Sequence, residues 1–312
     1  MIQCLSTSVV DVSIIIVNYN TCQLTANCLK SIFDQTRDVS FEIIISDNGS
    51  RDGSIEMIKS NFPNVILLEN NENLGFGRAN NRALALAKGR YIFYLNSDTI
   101  LLNNAVKLFY DYFEAHQTEN IGVLGCNLEN IEGKSIHSFG QILPLITRTK
   151  SLFHTFLGIT KDTAKYFITH KKQEIHINHL QDYTTGEVPY ITGADMFLKN
   201  DSFAEFDERY FMYNEEVDLQ VKYHQAGKKT IIIDGPRIIH LEGGSTEKKL
   251  YKVFYLSSAG NQQLFISYVQ FYKKNEYKPS LLLLFKIIIL LIWLNPLLIK
   301  YTKKNIPRLL KI

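Results

Sequence analysis

Cysteine, glycine and proline are all scarce in this sequence. Its 312 residues include 4 Cys, 17 Gly and 7 Pro, against 46% apolar residues. This composition excludes the disordered, collagen-like and disulfide-scaffold classes. The length fits about two domains, or one large domain with an appendage. Because no two cysteines form a C-x-x-C pair, we interpret all four as reduced core thiols of a cytosolic protein (Cys4, Cys22, Cys28 and Cys126).

Long apolar runs are scarce as well. Residues 1–11 lack the basic start of a secretory signal, and Val12–Val17 is too short to be its apolar core, so we expect no signal peptide. The one long apolar stretch is Leu281–Ile299, near the other end of the chain.

Charge is distributed unevenly along the chain, although the net charge is only +3. Residues 248–312 contain 12 Lys and Arg against one acid, whereas residues 1–247 contain 22 against 30. We therefore predict a mildly acidic body at 1–247 and a basic, apolar, helical extension at 248–312.

The first 116 residues alternate between two patterns. Short apolar runs rich in β-branched and aromatic residues predict strands, and apolar residues at helical spacing predict helices between them. The expected strands are Val12–Val17, Phe41–Ser46, Val65–Leu68 and Tyr91–Leu95, and the expected helices are Thr21–Gln35, Ser54–Ser60, Gly77–Lys88 and Asn104–His116. Such alternation predicts an α/β fold with a mostly parallel sheet flanked by helices.

Polar residues follow three of these strands. Asn18-Tyr19-Asn20 follows the first, Asp47-Asn48-Gly49-Ser50 the second, and Asn96-Ser97-Asp98 the fourth. One such residue is usually a helix cap or a turn former. Three sets at one edge of a sheet are harder to explain in that way, because ligands bind beyond the carboxyl ends of the strands.

The glycine pattern argues against two common nucleotide sites. No glycine follows the first strand until Gly49, so the G-x-G-x-x-G of dinucleotide enzymes is missing, and no P-loop occurs. The polar edge instead suits a nucleotide bound by side chains, with its diphosphate held through a divalent cation. Asp98 is placed to bind that cation, because Mg²⁺ typically takes one or two carboxylates plus substrate phosphates.

Five ordered blocks of sequence resemble family 2 glycosyltransferases of the GT-A fold, particularly the bacterial rhamnosyltransferase-like branch. The resemblance covers about residues 10–270. Its blocks are Val12–Asn20, Glu42–Gly53, Asn73–Asn81 and Tyr91–Thr99, with a second-half block made of Ile191–Ala194, Phe206–Leu219 and His240 with Gly243, Gly244 and Ser245.

The resemblance implies a role for each matching residue. Asp98 and His240 would bind Mg²⁺ or Mn²⁺, and Asn96 replaces the first acid of the D-x-D motif. His176 and His179 match no motif, and we expect no zinc site there. The implied donor-binding residues are Asn18, Asn20, Asp47, Asn81, Asn96, Gly193 and Ala194.

The densest group of acids in the chain comprises Glu215, Glu216 and Asp218. On a helix, Glu215 and Asp218 share one face and Glu216 points elsewhere. Acids in a first helical turn also complement the macrodipole, which is the simpler explanation. By resemblance to the family's E-D-x-D motif, Glu216 would be the general base, one methylene longer than the usual Asp, with Glu215 and Asp218 positioning it.

These features together predict a metal-dependent, inverting glycosyltransferase that uses a nucleotide-diphosphate sugar, with dTDP-L-rhamnose as the expected donor. Its acceptor would be a glycan or a lipid-linked glycan of a bacterial surface polysaccharide such as O-antigen or capsule. Residues 10–125 would form the donor half and 126–247 the acceptor half, and no nucleic-acid partner is expected. The alternatives are a nucleotidyltransferase with a similar core and a non-catalytic membrane scaffold.

The basic extension is expected to begin with a helix at Tyr251–Tyr272. The 19 residues of Leu281–Ile299 reach the length of a membrane span, but Lys-rich flanks lie on both sides. A re-entrant or in-plane segment keeps both flanks on the anionic inner leaflet. We therefore expect peripheral attachment to the cytoplasmic face of the membrane, with a single span and a buried core helix as the alternatives.

Overall fold

A computed structural model of the chain describes residues 10–169, 174–175, 180–241, 250–251 and 258–312. The strands are β1 Val12–Asn18, β2 Phe41–Asp47, β3 Ile66–Glu69, β4 Tyr91–Leu95, β5 Thr99–Leu101, β6 Ile121–Gly125, β7 Phe139–Gly140, β8 Glu174–Ile175, β9 Gly186–Glu187, β10 Tyr190–Ile191, β11 Asp195–Lys199, β12 Lys229–Ile232, β13 Ile238–His240 and β14 Leu250–Tyr251.

The helices connect strands in the first half of the chain, and from Ala259 onward they follow one another. They are α1 Cys22–Gln35, α2 Ser54–Asn61, α3 Phe76–Leu84, α4 Ala105–Ala115, α5 Leu145–Thr169, α6 Glu215–Gln225, α7 Ala259–Asn275, α8 Pro279–Trp293, α9 Ile299–Thr302 and α10 Ile306–Lys311, with a 3₁₀ turn at Lys303–Asn305.

An eight-stranded sheet with the order β3-β2-β1-β4-β11-β6-β12-β9 forms the centre of the first half. Strands β1 to β4 are mutually parallel, and β11 runs antiparallel between β4 and β6. Apolar side chains pack on both faces of the sheet, which explains why its strands read as continuous apolar runs. The predicted mixed α/β architecture is confirmed, and each predicted strand and helix through α4 is present, with shifts at the ends.

The chain divides into two compact units. The first comprises Met1–Gln141, His179–Glu208 and Glu215–Gly244, and it contains the large sheet. The second comprises Ile142–Asn178, Arg209–Asn214 and Ser245–Ile312, and it contains α5 and α7 to α10. The division predicted at 247/248 stays a prediction, and helix α5 was not predicted from the sequence.

One predicted boundary in the basic extension needs correction, and the apolar run after it is interrupted at the proline, as its sequence indicates. The helix expected at Tyr251–Tyr272 begins at Ala259 and continues to Asn275, while Tyr251 belongs to the short strand β14. The apolar run Leu281–Ile299 is not one helix. Helix α8 ends at Trp293, shortly before Pro296, because a proline interrupts helical hydrogen bonding. Within the described ranges, no helix combines the length and apolarity needed to span a membrane.

Candidate functional site

The carboxyl ends of β1, β2 and β4 meet at one edge of the sheet, as the sequence predicted. Asn18 lies opposite Asp47 in the register of the two strands, and its Nδ2 donates to Asp47 Oδ2 at 2.6 Å. The Thr21 hydroxyl is 3.1 Å from the Ser97 hydroxyl, which joins the start of α1 to the segment after β4. The polar residues that follow the strands therefore form one connected network.

Asn18 and Asp47 themselves lie below the surface of this edge, with no exposed area. Asn18 Oδ1 accepts from the hydroxyls of Thr21 and Thr25 at 2.7 and 2.6 Å. Asp47 Oδ1 accepts from the backbone N–H groups of Gly49 and Ser50 at 3.0 and 2.8 Å. These bonds fix the backbone of the loop after β2.

Asn20 is exposed at the same edge and adopts a left-handed conformation with φ of 54°. Its Oδ1 accepts from the backbone N–H of Arg51 at 2.8 Å, and its own N–H donates to Ser50 Oγ at 2.9 Å. Asn tolerates this backbone region better than most residues do. Asn20 therefore connects the loops after β1 and β2 at the surface.

Asp98 and His240 approach each other although they are far apart in sequence. Strand β13 pairs with β5, so His240 lies opposite Thr99, and the Leu241 N–H donates to the Asp98 carbonyl at 2.9 Å. His240 Nε2 is 3.2 Å from Asp98 Oδ1 and 3.4 Å from Asn96 Nδ2. Both the Asp98 and His240 side chains remain partly exposed.

This pair fits a divalent cation whose other ligands come from a diphosphate. In the part of the chain that the structure describes, no group of three or more His, Cys, Asp or Glu side chains could hold a metal ion by itself. A carboxylate oxygen and an imidazole nitrogen nevertheless suit Mn²⁺, and Mg²⁺ commonly takes few protein ligands when phosphates supply the rest. The two side chains could thus supply part of a coordination shell.

A loop at Ile191–Ala194 lies between this pair and the acidic cluster. The Asn96 N–H donates to the Ala194 carbonyl at 3.0 Å, on one side of the loop. On the other side, a Cβ placed on Gly193 would lie 3.7 Å from the Cβ of Glu216. Gly193 and Ala194 therefore connect residues 96–98 to the start of α6 through their backbone.

The three acids at the start of α6 differ in exposure. Glu215 and Asp218 are buried, with 3% and 4% of their surface exposed, whereas Glu216 is partly exposed. These exposures agree with the prediction that Glu216 points away from the face shared by Glu215 and Asp218. Glu216 is the acid of this cluster that can meet a ligand directly.

Gln220 holds this helix against the loop, and only its spacing of four residues from Glu216 could have pointed to it in the sequence. Its Oε1 accepts from the Ile191 N–H and its Nε2 donates to the Ile191 carbonyl, both at 2.7 Å. Gln220 has no exposed area. The side chain thereby fixes the position of Glu216 beside Gly193.

Asn81 likewise holds a backbone segment in place, the one around Phe206, which precedes the acidic cluster in the sequence of the first unit. Its Nδ2 donates to the Phe206 carbonyl and its Oδ1 accepts from the Phe206 N–H, both at 2.9 Å. A Cβ on Gly77 would lie 3.2 Å from the Phe206 Cβ and 3.7 Å from the Glu215 Cβ. Glycine at position 77 therefore allows α3 to approach the acids closely.

Asp195 is a buried acid that the sequence analysis missed. It follows Ala194 at the start of β11, and its Oδ2 accepts from the Cys126 N–H at 2.7 Å. Its Oδ1 is buried and makes no hydrogen bond within the described structure. Burial raises the pKa of Asp195 from 3.8 to about 7, although the Cys126 hydrogen bonds and the charge of His240 pull that pKa downward.

Several residues named in the predictions lie outside the described ranges, and the remaining cysteines can be assessed in the structure. His176, His179, Gly243, Gly244 and Ser245 lie outside the described ranges, as does Cys4. The other three cysteines are free thiols, and Cys28 and Cys126 are buried. Burial raises the pKa of the Cys28 thiol to about 12, so this thiol stays protonated and unreactive at neutral pH.

Comparison with known proteins identifies the family. A model described as glycosyl transferase family 2 matches residues 13–205. An N-acetylglucosaminyl-diphospho-decaprenol L-rhamnosyltransferase of Mycobacterium tuberculosis is 25% identical over 218 residues, which are 65% of this chain and 67% of that protein. The uncharacterized glycosyltransferase YfnE of Bacillus subtilis is 34% identical over 247 residues, which are 69% of this chain and 60% of that protein.

Solved structures with the same fold have low sequence identity to this chain. A mannosyltransferase from Pyrobaculum calidifontis, in complex with GDP-Man and Mn²⁺, matches with a TM-score of 0.54 at 14% identity, over 98% of this chain and 76% of that one. Residues 1–349 of TarS from S. aureus match with a TM-score of 0.51 at 14% identity, over 96% and 83%. Together with the family match, which covers more than half of the sequence, these findings show that the chain belongs to glycosyl transferase family 2 and is a glycosyltransferase of the GT-A fold.

Proposed function

We propose that this glycosyltransferase transfers L-rhamnose from dTDP-L-rhamnose, with inversion and with the help of Mg²⁺ or Mn²⁺, to a glycan or lipid-linked acceptor of a bacterial surface polysaccharide. The observation that carries the proposal is the arrangement around the Ile191–Ala194 loop. Glu216 lies beside Gly193, and Asn96, which neighbours the Asp98–His240 pair, is hydrogen-bonded to Ala194. This transfer requires a general base and a cation, and the candidate residues for both lie next to one short loop.

Glu216 is the general base in this mechanism. As the acceptor hydroxyl oxygen attacks the anomeric carbon of the sugar, Glu216 takes the hydroxyl proton, and the bond from that carbon to the diphosphate oxygen breaks. The diphosphate leaves with the bonding electrons. Attack from the side opposite the leaving group inverts the anomeric centre. Glu215 and Asp218 are buried in the first turn of α6, and we assign them the role of positioning Glu216.

Asp98 and His240 are the residues that would hold the cation, with Asn96 beside them. When bound, such an ion would neutralise the negative charge that develops on the diphosphate. Asn20 is exposed at the same edge, while Asn18 and Asp47 shape the loops that face the donor from below. Asn81, through its two hydrogen bonds to Phe206, holds the segment that precedes Glu215 in the sequence.

The choice of sugar is supported by the mycobacterial rhamnosyltransferase relative, whose own name describes an N-acetylglucosaminyl-diphospho-decaprenol acceptor. A lipid-linked acceptor of that kind requires access to a membrane. We therefore propose peripheral attachment to the cytoplasmic face of the membrane through the basic extension 248–312. The apolar helix α8 and the many basic residues of that extension support this part of the proposal.

The general base can be tested with Glu216→Gln, which keeps the size of the side chain and removes its basicity. We expect donor affinity and thermal stability to stay at wild-type values, while kcat for sugar transfer falls at least about a hundredfold. Sugar transfer is followed by mass spectrometry of the acceptor product, and donor affinity by calorimetry. Glu119→Gln, an exposed glutamate in the same unit, is the matched control and should keep full activity. Near-full transfer by Glu216→Gln would refute the assignment.

A further inference from the structure

Helices α5 and α8 of the second unit lie side by side and run in the same direction. Near the start of both, the Leu145 N–H donates to Glu276 Oε2 at 2.8 Å. Near the end of both, Asn295 Nδ2 donates to Thr163 Oγ1 at 2.9 Å. The two contacts are separated by nearly the same number of residues on each segment, so the helices are parallel neighbours along most of their length.

Helix α8 leaves a continuous apolar stripe uncovered. At 100° per residue, the exposed Leu and Ile residues within α8 occupy an arc of about 100°. The opposite side of the helix is buried through Phe285, Ile289 and Trp293 among others. The stripe consists of Leu283, Leu284, Ile287, Leu291 and, just after the helix, Leu294, which are 43% to 58% exposed.

Helix α5 has a second stripe of the same kind. Its exposed large apolar residues fall within an arc of about 100°, and two exposed lysines, Lys150 and Lys161, lie in or beside that arc. The buried side of the helix contains Leu152 and Ile159. The exposed large apolar residues of the arc are Ile146, Phe153, Leu157, Phe167 and Ile168.

The charge of the second unit is strongly positive. The sequence segments of this unit contain 19 Lys and Arg against 4 Asp and Glu, whereas those of the first unit contain 15 against 27. An apolar stripe with a basic surround matches an anionic lipid surface, which attracts each nearby Lys or Arg by about 1 kcal/mol. Pairing of two copies through these stripes would instead bring two strongly positive units together.

We propose that the exposed stripes of α5 and α8 together form one lipid-contacting surface, which lies on the anionic inner leaflet. This inference rests on the proposed membrane association and extends it, because α5 lies outside the basic extension and well before it in the sequence. Apolar side chains of both helices enter the region between the headgroups, and the lysines of α5 meet lipid phosphates. The surface would bring the enzyme to the leaflet in which a lipid-linked acceptor is anchored.

The test uses the full chain and vesicles of phosphatidylcholine with or without phosphatidylglycerol, followed by co-sedimentation. Wild type should partition at least tenfold better onto the anionic vesicles, and added salt should weaken this binding. Phe153→Glu/Leu157→Glu on α5 and Leu283→Glu/Ile287→Glu on α8 should each lower the partition coefficient at least tenfold. The matched control is Leu86→Glu/Ile131→Glu, which changes two exposed apolar residues of the first unit and should bind like wild type.

Phe153→Gln/Leu157→Gln provides a neutral second pair, and thermal unfolding verifies that each variant is folded. Wild-type vesicle binding by both α5 variants, with loss only for the α8 variant, would overturn the role of α5. A wild-type dimer that dissociates in Phe153→Glu/Leu157→Glu and never binds vesicles would assign the surface to a second copy. Donor hydrolysis without vesicles reports the proposed activity separately, so its absence alongside intact vesicle binding would count against the activity and support this surface.

Discussion

Asn18 and Asp47 show how a polar residue at a strand end can serve a binding edge without being exposed. Their side chains bond each other and the loops after β1 and β2, and neither has exposed area. Substitutions at these positions should therefore act on donor binding through the shape of the loops. The sequence alone predicted that these two polar residues belong to a ligand-binding edge of the sheet. Their burial could not, because it depends on how Thr21, Thr25 and Ser50 close over them.

Asp195 leads to a prediction about stability and pH. Asp195→Asn should flatten the fall in stability of the metal-free protein between about pH 4 and pH 7. The unfolded carboxyl ionises near pH 4. The buried one has a pKa of about 7, so the folded state binds more protons in this window. The stability contributed by the protonated group is therefore complete below pH 4 and is lost as pH rises to 7, by up to about 1.4 kcal/mol per pH unit.

Urea unfolding at several pH values, with a chelator present, measures this effect. Asn keeps an oxygen for the Cys126 N–H and carries no charge, so the variant should gain stability relative to wild type as pH rises through the window. Asp182→Asn, at an exposed position, is the matched control and should follow the wild-type profile. Parallel curves for wild type and Asp195→Asn would contradict a carboxyl that is protonated in the folded state.

At the scale of elements, the sequence predicted the first half of the fold better than the second. Strands β1, β2 and β4 are largely buried on both faces and the edge strand β3 is partly buried, so their apolar runs stand out between polar turns. Helix α5 was missed because apolar residues occur on both its buried and its exposed sides, as Leu152 and Phe153 illustrate. Without contrast between two faces, periodicity gives no helix signal. Neither could the sequence show that Gln220 pairs with Ile191, since that contact depends on the tertiary fold.

Gln220 provides the prediction that belongs to this scale. Gln220→Ala removes both partners of the buried Ile191 backbone groups, and each unsatisfied buried group costs about 1–3 kcal/mol. We expect the free energy of unfolding to fall by at least about 2 kcal/mol. Because α6 then loses its tie to the loop beside Gly193, kcat should fall more than donor affinity does.

Denaturant unfolding and steady-state kinetics measure the two effects of Gln220→Ala. Gln23→Ala, at an exposed position of α1, is the matched control and should change stability by less than about 0.5 kcal/mol. A loss of stability without any change in kcat would indicate that the Gln220–Ile191 contact holds the fold but does not position Glu216.

At the scale of the whole molecule, the charge of the two units bears on the donor. The sequence segments of the first unit carry 27 acids against 15 bases, and its candidate site includes Asp98, Glu215, Glu216 and Asp218. A nucleotide diphosphate is itself anionic, so it approaches this unit against repulsion unless a cation intervenes. The charge distribution therefore favours a donor that binds together with a divalent ion, as the Asp98–His240 pair also suggests.

This argument gives a prediction for nucleotide sugars screened by thermal unfolding. With Mn²⁺ or Mg²⁺ present, dTDP-L-rhamnose should raise Tm more than UDP- or GDP-sugars do at the same concentration, because the proposed donor binds more tightly. A ligand at a hundred times its Kd adds about 2.7 kcal/mol to stability. A chelator should abolish the shift, and Asp98→Ala should abolish its metal-dependent part while leaving the ligand-free Tm near that of wild type. An equal shift in the presence of chelator would remove the cation from donor binding. A larger shift with UDP-sugars would exclude the rhamnose assignment and leave the enzyme a metal-dependent glycosyltransferase, because Asp98 and His240 would act on the diphosphate through the cation and not on the base or the sugar.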